Sequence, residues 1–277
     1  MKKPIIRTFT PISAVAAVFG MAAGAQASIS PVFHADFPAS WNATGTTVLD
    51  QYGTSNVGFQ SGTTHATYTT AVVPPGAPAG TGSMALDGAA GIKITPTSLL
   101  NNGSVLAHSG FTYDIQFLWD GTDSTAFGHV QKLIDYAGTE SLQLTTAPGS
   151  ATLQMNFNDG GVAVSTTIAP NTWYDAKVVF NNTFLDLDGS SVDGTASLFL
   201  NGGFLSSASA IKTTYGDSLN RPIGIGEFGY GHTTSIIGLH GDIYDASITF
   251  NQVPEPSTLA VGALGGLAMM GLRRRKS

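Results

Sequence analysis

Apolar and polar residues alternate with a period of two along much of this chain. In residues 111–120, five apolar side chains fall on one face of an extended segment: Phe111, Tyr113, Ile115, Phe117 and Trp119. The residues between them are polar, with Leu118 as the exception. Because successive side chains of a strand point to opposite faces of a sheet, this pattern predicts a half-buried β-strand.

The same alternation recurs at four more places, and no long stretch has apolar residues at helical spacing. The repeated sets are Leu142/Leu144, Leu153/Met155/Phe157, Tyr174/Ala176/Val178/Phe180 and Tyr244/Ala246/Ile248/Phe250. Asn201-Gly202 lies between apolar runs and predicts a hairpin turn, because both central positions of a type I′ turn need positive φ. Many short strands joined by turns predict an all-β fold of two packed antiparallel sheets.

Two tryptophans and one proline-rich stretch add detail to this prediction. Trp119 lies on the apolar face of its strand and Trp173 opens another strand pattern, so both are predicted to be core residues. Residues 72–82 are rich in proline and glycine and are predicted to form a long surface connection. We find no internal repeat, so residues 28–252 are predicted to be a single domain.

The first 27 residues have the composition of a targeting segment. Three basic residues precede an apolar stretch at residues 12–25: Lys2, Lys3 and Arg7. Ala25-Gln26-Ala27 then supplies the small-x-small pattern of a cleavage point. These features predict a secretory signal peptide at residues 1–27, a mature start at Ser28 and passage through the secretion translocon. An uncleaved anchor is the alternative, although the apolar stretch is short for one.

The last 25 residues, 253–277, have three parts. They begin with the motif Val253-Pro254-Glu255-Pro256. An uncharged apolar run of 16 residues follows at 257–272, and the basic end is Arg273, Arg274, Arg275 and Lys276. If helical, the apolar run would be about 24 Å long, short of the roughly 30 Å hydrocarbon core. The basic end predicts retention on the cytoplasmic side, with the large domain across the membrane.

This tripartite tail resembles the PEP-CTERM sorting signal of Gram-negative bacteria, which an inner-membrane exosortase recognises and cleaves. The resemblance implies a hydrophobic sorting helix that is inserted transiently in the inner membrane. It also implies processing by an exosortase and delivery to the cell surface or the extracellular matrix. An ordinary C-terminal membrane anchor is the alternative.

The charges are unevenly distributed between the ends and the domain. Five basic residues remain in residues 28–252 against 17 acidic ones, a formal charge of −12. Nucleic acid and anionic lipid are poor partners for such a surface, whereas cations and neutral polymers fit it better. The chain has no cysteine, so its stability after export depends on packing and hydrogen bonds, or on a bound metal.

Short motifs follow one another along the domain in a definite order. Residues 33–37 and 45–50 form a possible opening strand and turn, residues 84–88 a short strand ending in Asp-Gly, and residues 111–119 a long central strand. Residues 171–180, 198–202, 223–226 and 239–243 continue the order to a closing strand. This order of motifs resembles that of laminin-G-like domains in the concanavalin A-like lectin/glucanase superfamily. The resemblance implies a two-sheet antiparallel jelly-roll sandwich.

Two calcium sites are candidates. The resemblance implies a structural Ca²⁺ between the first and last strands, near Asp36 and Asp245. Family members commonly have two acidic residues after the Gly-x-Ile of the last strand, whereas here Tyr244 precedes a single acid. A second, oxygen-rich segment holds three further carboxylates: Asp186, Asp188 and Asp193. The alternative for that segment is a polar hairpin loop.

Catalysis is not expected. Hydrolases of the superfamily have Glu-x-Asp-x-Glu on one strand, because alternate residues face the same cleft. The domain contains only Glu140 and Glu227, with no acid two positions away. Six histidines leave a Ser/His/Asp arrangement open, but no Gly-x-Ser-x-Gly motif accompanies them.

A glycine-rich segment at residues 226–233 is the candidate glycan-binding site. Phe228, Tyr230 and His232 alternate there with glycines that bring a ligand close to the backbone. The alternative is a glycine-rich connection whose aromatic side chains pack on the sandwich. The predicted function is non-catalytic binding or scaffolding of extracellular polysaccharide in a biofilm matrix. A structural or adhesive spacer and a divergent glycoside hydrolase are the alternatives.

Overall fold

The computed structural model describes residues 29–36, 56–60, 66–89, 91–95, 110–124, 128–136, 140–157, 161–185, 191–213, 223–226 and 238–251. Ile29–Gln252 forms one compact unit. The other unit, Met1–Ser28 with Val253–Ser277, lies outside the described residues, and so do the predicted signal peptide and sorting helix. In the described ranges, no helix is long and apolar enough to cross a membrane.

Every regular element in these ranges is a β-strand. The strands are β1 (Ile29–Asp36), β2 (Asn56–Gln60), β3 (Ala66–Thr69), β4 (Ser83–Asp87), β5 (Gly91–Thr95), β6 (Gly110–Trp119), β7 (Val130–Tyr136), β8 (Glu140–Ala147), β9 (Ser150–Phe157), β10 (Gly161–Ile168), β11 (Trp173–Leu185), β12 (Ser191–Leu200), β13 (Gly203–Thr213), β14 (Ile223–Ile225) and β15 (His240–Asn251).

The strands form two antiparallel sheets. The first sheet has the order β13-β12-β11-β6-β15-β4-β3, with β1 also paired to β15. The second has the order β10-β9-β8-β7-β14-β5-β2. The chain passes between the sheets repeatedly, and β15 pairs with β1, β4 and β6. The predicted two-sheet antiparallel jelly-roll sandwich is thereby confirmed.

The core lies between the sheets and follows the predicted alternation. Every second residue of β6, from Phe111 to Trp119, is buried, and the polar residues between them are half-buried. The matching apolar sets of β8, β9 and β11 are also buried, except for Tyr174, which is half-buried. An aromatic cluster joins the two sheets: Phe157 of the second sheet lies 6.1 Å from Phe111 and 5.2 Å from Phe180, between ring centroids.

The predicted hairpin between β12 and β13 is confirmed. Asn201 and Gly202 have φ values of 52° and 76°, as a type I′ turn requires. Asn201 also bonds to β11, since its backbone N–H donates to the Asp175 carbonyl at 2.7 Å. The turn therefore fixes the register of three neighbouring strands.

Two sequence predictions about individual positions are wrong. Trp173 is half-buried on the outward face, because Tyr174 takes the inward position on β11. The register of β15 shifts between Ile243 and Asp245, so Tyr244 leaves the core alternation and Ile243 is buried instead. Of the three carboxylates in the oxygen-rich segment, Asp193 lies in β12.

The hydroxyl of Tyr113 yields a stability prediction. This side chain is fully buried, and its hydroxyl has no hydrogen-bond partner among the described residues. Burial raises the pKa of Tyr113 well above its ordinary value, with the Glu140 carboxyl as the next cause. Tyr113→Phe is expected to raise the free energy of unfolding by about 1 kcal/mol, because it removes an unsatisfied buried polar group. Urea unfolding of the wild type and the variant measures the change.

Tyr174→Phe is the matched control with the opposite expected sign. The Tyr174 hydroxyl accepts a hydrogen bond from the Ala169 backbone N–H at 2.9 Å. Removing that hydroxyl is expected to lower the free energy of unfolding. A loss of stability in Tyr113→Phe as large as that in Tyr174→Phe contradicts the prediction.

Candidate functional site

Residues 70–82, here called the proline-rich connection, join β3 to β4 through two consecutive turns. The Ala77 N–H donates to the Pro74 carbonyl at 3.1 Å, and the Thr81 N–H donates to the Pro78 carbonyl at 3.2 Å. The third residue of each turn is a glycine with φ near 85°: Gly76 (85°) and Gly80 (83°). That conformation fits a type II turn, which strongly favours glycine at this position. The predicted surface connection is therefore confirmed.

The proline-rich connection is attached to the outward face of the first sheet. Ser83 Oγ lies 2.6 Å from the Val72 carbonyl oxygen and 2.8 Å from Asp242 Oδ1. At the other end of the connection, the Tyr244 hydroxyl donates to Thr81 Oγ1 at 3.4 Å. These contacts hold the connection against the sheet beside β15.

Two aromatic rings pack against each other on the outward face, next to the proline-rich connection. Trp173 of β11 and Tyr244 of β15 have ring centroids 6.4 Å apart and an interplanar angle of 84°. Both side chains are half-buried, so part of each ring surface is open to solvent. Such an edge-to-face pair is a rigid apolar surface with a polar hydroxyl and indole N–H at its margin.

A row of polar side chains crosses the sheet beside the rings. Gln116 of β6 is the register partner of Asp175 on β11 and of Asp245 on β15. Neighbouring strands lie about 4.8 Å apart, so the row presents amide and carboxyl groups at that spacing. We call the surface formed by Trp173, Tyr244, Asp175, Gln116 and Asp245 the shelf.

Asp114 and Lys177 border the shelf and affect the ionisation of Asp175. Lys177 Nζ lies 2.6 Å from Asp114 Oδ2. Partial burial raises the pKa of Asp175, and the charge of Asp114 and a hydrogen bond with its carboxyl raise it further. The pKa of Lys177 is also raised, mainly by its hydrogen bond to Asp114. Asp114, Lys177 and Asp175 thus interact electrostatically at the edge of the shelf.

The shelf has the elements that sugar recognition needs. Apolar ring surface accepts the C–H faces of a sugar, and nearby amide and carboxyl groups accept or donate hydrogen bonds at its hydroxyl groups. Two carboxyls on the shelf and the adjoining Asp114 make the surface unfavourable for a polyanion. The arrangement is suited to binding a neutral chain along the sheet.

Most residues of the predicted ligand sites lie outside the described residues. This holds for Phe228, Tyr230 and His232, for Asp186 and Asp188, and for the predicted cleavage and sorting residues. Asp36 is the direct register partner of Asp245 across β1 and β15, so their backbones are adjacent. Within the described residues, no three His, Asp or Glu side chains are grouped to hold a metal ion. Both calcium sites stay predictions.

A polar cluster that contains one histidine lies away from the shelf, in the connection between β6 and β7. His129 Nδ1 is 2.9 Å from Asp123 Oδ1, and the Thr146 hydroxyl lies 2.8 Å from the same oxygen. The pKa of Asp123 is lowered, first by the Thr146 hydrogen bond and then by that from His129. The hydroxyl therefore contacts the carboxylate rather than the imidazole ring, unlike the nucleophile of a catalytic triad.

A family model described as the PEP-CTERM protein-sorting motif matches residues 252–276. The predicted C-terminal sorting signal is thereby confirmed, and the motif implies an exported protein that is processed by an exosortase. No curated protein matches the chain.

Several solved structures of neurotoxin binding domains are similar to this chain. The botulinum neurotoxin serotype D/C VPI 5993 binding domain has a TM-score of 0.49 and 11% identity, covering 84% of this chain and 52% of that one. The serotype G binding domain has a TM-score of 0.47 and 10% identity, covering 85% and 51%. This chain thus spans about half the length of these neighbours.

Sequence reasoning missed the shelf because its aromatic residues were assigned to the core. Trp173 begins a strand, and a first strand residue gives little information about which face it takes. Tyr244 fits a period-two pattern that continues to Phe250, and only the register shift in β15 removes it from that pattern. The absence of the second acid beside Asp245, replaced by Tyr244, is the one signal that distinguishes this position in the sequence.

Proposed function

We propose that this protein is a non-catalytic polysaccharide-binding component of the cell surface or the extracellular matrix, released there after exosortase processing. The sorting motif supports export and processing. The observation that carries the binding role is the half-buried Trp173–Tyr244 pair beside the polar row of the shelf. A biofilm polysaccharide of neutral charge is the ligand that this surface suits best.

A retaining glycosidase needs two carboxyls about 5–5.5 Å apart, and an inverting one needs a wider separation. Lys177 holds Asp114 in an ion pair, with Nζ 2.6 Å from Asp114 Oδ2, which engages that carboxyl. Asp175 and Asp245 lie on either side of Gln116, so the release of reducing sugars is the measurement that separates binding from hydrolysis.

Trp173→Ala is expected to weaken binding to an immobilised exopolysaccharide by roughly tenfold to a hundredfold, because an aromatic anchor is removed. A panel of neutral bacterial exopolysaccharides, tested by surface plasmon resonance, measures the change. Phe204→Ala is the matched control, since Phe204 is 60% exposed at the β12–β13 hairpin of the same sheet and outside the shelf. Its affinity is expected to equal that of the wild type.

Four outcomes count against this assignment in different ways. Equal losses in Trp173→Ala and Phe204→Ala contradict the shelf as the binding surface. Loss in the double variant Phe228→Ala/Tyr230→Ala, with Trp173→Ala unaffected, moves the site to the glycine-rich segment predicted from the sequence. Failure of the wild type to bind any polysaccharide favours an inert spacer, and release of reducing sugars from the polymers favours an enzyme.

A further inference from the structure

The Ser83 hydroxyl lies between two oxygen atoms that compete for its hydrogen. One is the Val72 carbonyl oxygen at 2.6 Å, and the other is Asp242 Oδ1 at 2.8 Å. A carbonyl oxygen only accepts, and a serine hydroxyl has one hydrogen to donate. A single hydrogen shared between the two oxygen atoms bonds each of them weakly, whereas both contacts are full hydrogen bonds when Asp242 is protonated. In that state Asp242 donates to Ser83 Oγ, and Ser83 donates to Val72.

The surroundings of Asp242 favour this protonated form. The side chain is 7% exposed, with Leu118 of β6 and Ala85 of β4 as its register partners. Burial is the main cause that raises the pKa of Asp242, and the Asp120 carboxylate adds to it, while the hydrogen bond with Ser83 acts in the opposite direction. The proline-rich connection carries no charged residue. The ionisable groups on the strands packed against Asp242, and directly after them, are Asp87, Tyr113, Asp114, Asp120, His240, Tyr244 and Asp245, of which Tyr113 faces the core.

Two hydrogen bonds attach the connection to the sheet, and Ser83 makes the shorter one. The two turns are closed by hydrogen bonds within the connection, so they hold its shape but not its position. The contact between Tyr244 and Thr81, at 3.4 Å, is at the long limit for a hydroxyl pair. The hydrogen bond from Ser83 to Val72, at 2.6 Å, is the closer of the two attachments.

We propose that Ser83 and Asp242 form a proton-dependent latch that holds the proline-rich connection against the first sheet, beside the shelf. With Asp242 protonated, the chain of hydrogen bonds from Asp242 through Ser83 to Val72 is complete. With Asp242 ionised, its carboxylate takes the Ser83 hydrogen, and the Val72 carbonyl loses its donor. The Val72 end of the connection then loses this hydrogen bond and is held only by packing, as at the buried Pro74. The effect on ligand binding rests on the function proposed for the shelf, whereas the latch itself does not.

The direction of the pH dependence follows from the raised pKa. A carboxyl whose pKa is higher in the folded than in the unfolded protein stabilises the fold fully below its unfolded pKa. That contribution is lost as the pH rises through the folded-state pKa. Acid therefore closes the latch, and a rise in pH above the ordinary aspartate range opens it.

Hydrogen exchange measured by mass spectrometry on the full chain in mild detergent tests the latch. Between about pH 4 and about pH 8, after correction for intrinsic exchange rates, amide protection at the attached end of residues 70–82, before the two turns, is expected to fall by about tenfold. Protection in the β12–β13 hairpin is expected to stay constant over the same range. A wild-type profile without a pH-dependent step in residues 70–82 overturns the proposal.

Three variants separate the latch from general loosening of the fold. Asp242→Asn donates permanently to Ser83 and is expected to keep the connection protected at every pH. Ser83→Ala removes the relay and is expected to leave the connection weakly protected throughout, which keeps the test decisive if Asp242→Asn does not fold. Asp120→Asn removes a neighbouring negative charge and is expected to move the step to lower pH. An unchanged step in Asp242→Asn contradicts the latch.

Binding measurements on the same samples distinguish the latch from the function of the shelf. If the exchange step is present but no polysaccharide binds, the latch stands and the proposed function fails. If polysaccharide binds with no exchange step, the function stands and the latch fails. If both are present, the wild type is expected to change its affinity across the step and Asp242→Asn is not.

Discussion

Replacing Val253, Pro254, Glu255 and Pro256 together with alanine is expected to abolish C-terminal processing and to leave the intact chain in the membrane fraction. Proline fixes φ and restricts the residue before it to extended conformations, so the sequence predicts an extended segment here. Alanine permits helical conformations at all four positions, so the replacement is expected to change both the conformation and the side chains that an exosortase would recognise. Cell fractionation and intact mass measurement test this result.

The matched control changes one side chain directly after the motif. Ser257→Ala leaves both prolines and the acidic residue in place and is expected to be processed like the wild type. If the fourfold variant is released with the same C-terminus as the wild type, the motif is not what directs processing. If the wild type itself remains intact through Lys276, the role in the matrix fails with it.

Phe111→Ala is expected to lower the free energy of unfolding by about 3–5 kcal/mol, the range for removing a fully buried aromatic side chain. Phe111 is 0% exposed and stacks on Tyr113 at 4.4 Å and on Phe180 at 5.4 Å, between ring centroids. It also faces Phe157 of the second sheet. The cavity left by alanine would therefore open between the two sheets. Urea unfolding followed by tryptophan fluorescence measures the loss.

Phe204→Ala makes the same chemical change at an exposed position and is expected to alter stability by less than about 0.5 kcal/mol. If Phe111→Ala does not fold, Phe111→Leu keeps the test open, with an expected cost of about 1–1.5 kcal/mol. Equal effects of alanine at Phe111 and Phe204 would contradict the placement of the core.

Local patterns were sufficient to predict several strands, among them β6, β8, β9 and β11, together with the β12–β13 hairpin and the sorting tail. The alternation in β6 depends only on which residues face the core, and the Asn201-Gly202 turn depends on two φ values that few residues adopt. The sorting signal is a contiguous segment with a distinctive composition, so it can be recognised without knowledge of the fold. Each of these features is set by residues that are near one another in the chain.

The shelf and the latch depend on contacts between distant residues and were not predictable in this way. Ser83 and Asp242 are 159 positions apart, and they meet only because β4 pairs with β15. Likewise, Asp175 and Asp245 share a row only through Gln116 of β6. A register shift such as that at Tyr244 moves a side chain to the other face without leaving a mark in the hydrophobic pattern.

The position of β15 in the first sheet has a consequence for the order of events during export. β15 is the last strand among the described residues, it pairs with β1, β4 and β6, and the match to the sorting motif begins at residue 252, directly after Asn251. During synthesis from the N-terminus, β1, β4 and β6 cannot complete their pairing until β15 has been made. The strand that completes this sheet is therefore followed directly along the chain by the segment that is processed.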